Sequence, residues 1–138
     1  MLYLADDILI SSGFTGTHQI RGDLYANLET REFIVRNFAY DGAAPVVFFY
    51  VYLGDAPVDR FGGGVTIGGR LIGSYGGGGT VRRTIPNEVN IADIHTFTIW
   101  CERFFQIFAR VSIPTGLLAV SCINYITLIN INVELFEE

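Results

Sequence analysis

An all-β fold, an antiparallel β-sandwich or barrel-like sandwich with Gly-rich hairpin loops, is predicted by three observations on this 138-residue chain. Half of its residues are hydrophobic, many of them β-branched or aromatic, and 16 are Gly, a balance that favours strands joined by turns. Short strand-like runs recur between turn signals, as in a sandwich or barrel. No segment near the start carries a convincing helical period. One domain of this length buries roughly two-thirds of the surface its unfolded chain exposes, enough for a core without obligatory staples.

The elements follow in order. Residues 1–15 read as an N-terminal extension, where Asp6, Ser11 or Ser12 could open a short segment. Strand-like runs cover 23–28, 32–38, 46–53, 64–67, 80–85, 96–101 and 104–113. Between them lie the turn signals Asp41-Gly42, Gly54-Asp55-Ala56-Pro57, Gly68-Gly69, Gly76 to Gly79 and Pro86-Asn87. Residues 115–138 read as a C-terminal tail with an extra strand over 123–135, where Ile129, Ile131, Val133 and Leu135 alternate with Asn130, Asn132 and Glu134. Ser121, Asn124, Thr127, Asn130 and Asn132 interrupt that tail, so no transmembrane segment is expected. Residues 1–7 lack the positive charge and long apolar run of a signal peptide.

Charge and residue inventory exclude several function classes. The net charge is −5 and all nine basic residues are Arg, with no basic stripe, which argues against nucleic acid, whose affinity rests on phosphate neutralisation. Without Lys there is neither Schiff-base chemistry nor a P-loop lysine. The Gly-rich stretch 62–79 lacks the Gly-Lys-Ser/Thr ending of a phosphate cradle and reads as hairpin loops. Asp41, Asp55, Asp59, Asp93 and Glu102 mostly lie beside turns, and no Ser sits in a Gly-x-Ser-x-Gly elbow, so a hydrolase is poorly supported. Arg21-Gly22-Asp23 spells the integrin-recognition tripeptide but runs straight into the strand-like Leu24-Tyr25. There Gly22 would serve a bulge or a close backbone approach.

Cys101 carries the sharpest chemical question. Phe97, Ile99 and Cys101 share one face of a period-two strand, which makes the thiol a core residue, neutral and slow to react. Arg103 and Arg110 are the nearest cations in sequence, and a turn at Glu102-Arg103 would redirect the first. A bridge from Cys101 to Cys122 would close a loop of about 20 residues and add about 3 kcal/mol. His18, His95 and Cys101 just suffice for a two-His, one-Cys copper site, but no His follows Cys101, and no metal is expected. Haem is possible through Cys101, with His18 or His95 as further candidates; His95 and Cys101 on one extended strand lie roughly 20 Å apart and cannot serve the same iron. The bland reading makes both histidines strand-end or loop residues.

A set of motifs carries a resemblance. Asn37-Phe38-Ala39-Tyr40-Asp41-Gly42, then Ile85-Pro86, Ile91-Ala92-Asp93-Ile94 and Ile99-Trp100-Cys101 with Phe104 and Phe108, resembles the DM-thirteen (DM13) domain, a Skeletor- and Knickkopf-like module often paired with DOMON domains. The match spans roughly residues 16–114, with Asn37, Phe38, Tyr40, Asp41, Gly42, Pro86, Trp100 and Cys101 as motif residues. It implies an extracellular or cuticle-associated module in electron transfer, its hallmark cysteine at Cys101 acting as a free redox thiol or holding a prosthetic group. The implied partner is a haem-binding DOMON or other redox domain. Where the family usually has Gly after Phe108 this chain has Ala109, and the segment from Thr115 with Cys122 has no counterpart. The alternative function is a non-catalytic β-sandwich that binds matrix or cell-surface partners, protein or polysaccharide, through exposed aromatics such as Tyr50, Tyr52 and Tyr75.

Overall fold

Alternation along the strands sorts side chains into two layers. In β4 (Val47–Leu53), Val47, Phe49 and Val51 enter the main core while Tyr50 and Tyr52 leave by the other face. In β7 (Ile94–Cys101), Phe97, Ile99 and Cys101 point inward and Trp100 outward. A computed structural model, describing residues 6–58 and 62–119, places these strands in a two-sheet antiparallel sandwich.

The first sheet has the order β1-β2-β3-β6, from β1 (Ile8–Thr15), β2 (Arg21–Asn27), β3 (Glu32–Tyr40) and β6 (Tyr75–Thr84). The second has the order β5-β4-β7-β8, adding β5 (Val65–Ile67) and β8 (Gln106–Ser112). Phenylalanines join the sheets: Phe33 lies 5.2 Å from Phe97, Phe97 5.0 Å from Phe49, and Phe49 6.2 Å from Phe38 between ring centres. Such tilted and edge-on pairs add to area burial by about 0.5–1.5 kcal/mol each.

Tyr50 and Tyr52, expected as exposed binding aromatics, are instead buried, and Tyr75 is half-buried. The alternation does turn the first two away from the main core, but Ala56, Val58 and Ile107 cover them, and Trp100 joins them in a second small core. Trp100 Nε1 donates to the Tyr52 hydroxyl at 2.8 Å, while the Tyr50 hydroxyl accepts from the N–H groups of Gly62 and Gly64.

Three segments depart from the sequence expectation. β1 lies upstream of where the resemblance begins and pairs along β2, with register shifts between Leu9 and Ser11 and between Ser11 and Phe14. Gly76 to Gly79, expected as a turn, belong to β6 and pair with the irregular end of β3, Gly79 opposite Phe38 and Gly76 opposite Ala39. Gly77, at φ 103°, supplies the backbone conformation this distorted ladder requires. Residues 102–105 form a hairpin turn rather than the beginning of β8. The expected strand over 123–135 lies outside the described residues. Among the described residues, no helix is long and apolar enough to cross a membrane.

Connections gather at the end of the sandwich where β3 finishes and β4 starts. Leu71 N–H donates to the Val47 carbonyl at 2.8 Å and Glu102 N–H to that of Val46 at 2.8 Å. Gly42, at φ 74°, abuts the Gly73 backbone so closely that an added Cβ would stand 2.8 Å from it. Gly42→Ala should therefore cost about 3 kcal/mol, from unfavourable φ plus a clash that backbone alone would have to relieve. Gly54→Ala, at φ 64° with open space around it, should cost only about 1 kcal/mol. Urea midpoints of the two variants, compared at constant denaturant slope, check the difference.

Candidate functional site

Cys101 ends β7, opposite Val47 on β4 and Gln106 on β8, and its side chain is wholly buried in the inter-sheet core as a free thiol. Cys122 lies outside the described residues. The turn at 102–105 carries Arg103 to an exposed position, and Arg110 is exposed too, its Nη2 reaching the Val58 carbonyl at 3.3 Å. Neither arrangement is that of a cation held against a buried sulfur.

Most of the motif residues serve the same end of the sandwich. Asn37 sits at φ 54°, a left-handed conformation that Asn tolerates better than most residues, where β3 shifts register between Arg36 and Phe38. Its amide donates to Asp23 Oδ2 at 2.8 Å, and Asp23 Oδ1 accepts from Gly13 N–H at 2.7 Å, so one carboxylate ties β1, β2 and β3 together. The Asn37 amide and then the Gly13 N–H hold the Asp23 carboxyl below its ordinary range. Asp23 thereby has a structural use within Arg21-Gly22-Asp23, and Gly22 lies in a register shift where a Cβ would stand 2.6 Å from Val35 Cγ1.

Phe38 then turns into the core against Phe49 and Tyr75, and buried Tyr40 closes the following loop. The Tyr40 hydroxyl donates to the Ala44 carbonyl and accepts from the Ala44 N–H, both at 3.2 Å. Asp41 Oδ1 caps Ala43 N–H at 2.8 Å, Asp41 Oδ2 meets His18 Nδ1 at 3.3 Å, and Asp41 N–H donates to the His18 carbonyl. His18 also lies over Phe108, 4.4 Å between ring centres. Pro86 acts at the other end, where its carbonyl accepts from Arg31 Nη2 at 2.7 Å.

The two histidines are therefore separated. His18 shares the Cys101 end through Asp41, whereas His95 starts β7 and has both ring nitrogens engaged, by Thr96 Oγ1 at 2.8 Å and the Ala56 carbonyl at 2.9 Å. Among the described residues no three His, Cys, Asp or Glu side chains gather as a metal site. A haem on Cys101 does not fit this arrangement. The sulfur has no exposed surface, and the hollow of about 370 Å³ at this end is lined by Val46, Glu102, Arg103 and Phe105.

Tyr40 is the titratable neighbour that sequence spacing could not supply. Burial pushes its phenol above the usual range, the Ala44 N–H works against this, and negative charge on Asp41 or Cys101 adds to it. Because the folded state holds this proton more tightly than the unfolded chain, its contribution is present below the ordinary phenol value of about 10 and is lost as pH rises beyond it. Tyr40→Phe should cost about 1–2 kcal/mol at neutral pH through the two lost hydrogen bonds, and should flatten the alkaline fall in stability. Denaturant unfolding of both proteins from neutral to alkaline pH measures both effects.

Comparison with known proteins agrees with the motif geometry. The family model described as "Electron transfer DM13" matches residues 14–113. The Drosophila melanogaster Protein Skeletor, isoforms B/C, is 32% identical over 114 residues, covering 77% of this chain and 14% of that protein. Isoforms D/E give the same identity over 7% of their length, so the chain spans a small part of the relatives it matches. No solved structure matches. With the matched region running from the end of β1 to just past β8, and the Asn37–Gly42 and Trp100-Cys101 motifs at one end of the sandwich, this chain belongs to the DM13 family, whose members are described by electron transfer.

Proposed function

We propose that this chain is a redox module in which the Cys101 thiol is the group that exchanges electrons. The observation that carries the reading is a free thiol, wholly buried, at the end of the sandwich built by the Asn37–Gly42 motif, in a chain of an electron-transfer family. Burial suits a carrier better than a nucleophile. A sulfur with no exposed surface is shielded from other thiols and disulfides, whose exchange requires direct attack, whereas electron transfer does not require contact with the sulfur. Oxidation sends one electron to the external oxidant and the thiol proton to water, leaving a thiyl radical that one electron from a redox partner and one proton return to the thiol.

The same shielding would let the Cys101 thiol persist outside the cell, where exposed thiols pair, and the extracellular setting belongs to this proposal. So does a DOMON or other redox domain as the natural partner. No step here is routed through haem. The alternative, a binding module for matrix protein or polysaccharide, loses Tyr50 and Tyr52 as surface contacts because both rings are buried.

Anaerobic titration with a one-electron oxidant such as hexachloroiridate(IV), on the native protein and on Cys101→Ser, tests the assignment. The variant should fold, consume less oxidant and, with a spin trap present, lack the adduct that mass mapping finds at Cys101. A thiol reagent should label native Cys101 slowly and the denatured protein fast. Equal oxidant consumption by both proteins would make Cys101 structural and return the binding module to first place.

A further inference from the structure

Three of the four large apolar side chains exposed among the described residues project from one end of the sandwich. Ile72 is 76% exposed, Phe104 53% and Phe105 73%, while the fourth, Leu9 at 49%, lies on edge strand β1. Leu71 bonds to Val47, Glu102 bonds to Val46, and Val47 stands opposite Cys101, so Ile72 and the hairpin tip flank the strand end that carries the thiol. Scattered apolar residues are ordinary; their convergence on one end is not.

Phe105 adds a second, independent observation. Its φ of 52° lies in the left-handed region, which disfavours a residue with a Cβ and which Gly would occupy freely. An aromatic ring in that conformation and largely in water gives the fold little, and the same turn could be built more stably with Gly.

We infer that Ile72, Phe104 and Phe105 form a docking surface for a redox protein whose cofactor edge is ringed by apolar side chains; the choice of occupant rests on the redox reading of Cys101. Because Cys101 has no exposed surface, the path for an electron is shortest when a partner seats against the nearest end of the sandwich. Charge selects the same occupant. Arg70 and Arg103 are offset by Glu102 and Asp41 at this end, which leaves no basic cluster, whereas anionic membranes recruit clusters of about 4–8 basic residues. Three side chains also fall short of the roughly 1,000 Å² that a stable pairing of two copies needs, and suit a brief encounter.

The experiment titrates a small c-type cytochrome with an exposed, apolar haem edge into isotope-labelled protein at about 0.15 M salt, which screens long-range attraction between exposed charges. Amide perturbations should concentrate at residues 70–74 and 101–106 and weaken at least about tenfold in Phe105→Gly, which relieves the φ and should fold as well as the parent. Leu9→Ser should bind as the parent does. Cys101→Ser should also dock unchanged, so a failure of the thiol assignment in oxidant titration is seen separately from a failure of docking. Perturbations spread over the strands, or unaltered by Phe105→Gly, overturn the proposal. So does co-sedimentation of the parent, but not Phe105→Gly, with phosphatidylcholine–phosphatidylserine vesicles, which would make the occupant a lipid surface. A dimer in sedimentation velocity that Phe105→Gly dissolves would make it a second copy and overturn the proposal equally.

Discussion

The structure depends on the phenylalanine seam that closes one sheet on the other. Phe33 and Phe38 reach across from β3, Phe49 and Phe97 from β4 and β7, and the chain of ring contacts runs the length of the strands. A sheet hydrophobic on one face has no stable alternative to burying that face, and the two sheets here do it against each other. Cys101 owes its position to this seam. It is the last inward residue of β7, two beyond Ile99 and four beyond Phe97, and any one-residue slip of β7 would exchange it with Trp100.

Beyond the seam, backbone irregularity shapes the end where the motif lies. His18, Gln19, Asn37 and Phe105 all take positive φ without being Gly. At Asn37 the cost is offset locally by the amide bond to Asp23, and His18 is held by Asp41 and Phe108. Phe105 has no such bond from its side chain, and 73% of it is exposed.

The sandwich and most of its strands were legible because their signal is local. Period-two alternation placed Phe97, Ile99 and Cys101 on one face and identified β4 and β7 closely. β1 was not legible, since Ser11-Ser12-Gly13 breaks the apolar pattern and its pairing with β2 shifts register twice. Gly76 to Gly79 carry no side chains that could show alternation, and only the ladder offered by β3 makes them strand. Tyr50 and Tyr52 were placed on the correct face of β4, but whether that face meets water is decided by Ala56, Val58 and the Gly62–Gly64 amides, contributed by another segment. At the site, the turn at Glu102-Arg103 was foreseeable, while the Asp23–Asn37 tie and the His18–Asp41 contact join residues from separate segments and have no spacing rule to announce them.

These facts bear on what a buried cysteine can be in such a fold. A thiol that must attack a substrate needs access, a nearby base or cation and room for the reacting atom, and Cys101 has none of these in view: its face is packed, Arg103 is turned away and its sheet partners are Val47 and Gln106. An electron carrier needs different things, namely a shielded group, a rigid surround and a short route to a partner. The seam supplies the first two. On the redox reading proposed for Cys101, the route runs through the loops that cross the end of the sandwich, where Gly42 abuts Gly73 and Glu102 bonds to Val46. The motif residues around Asp41 thus act through geometry. Asp41 caps Ala43 N–H and meets His18, and the Tyr40 hydroxyl bonds both backbone groups of Ala44, so the polar groups of the motif hold the turn between β3 and β4.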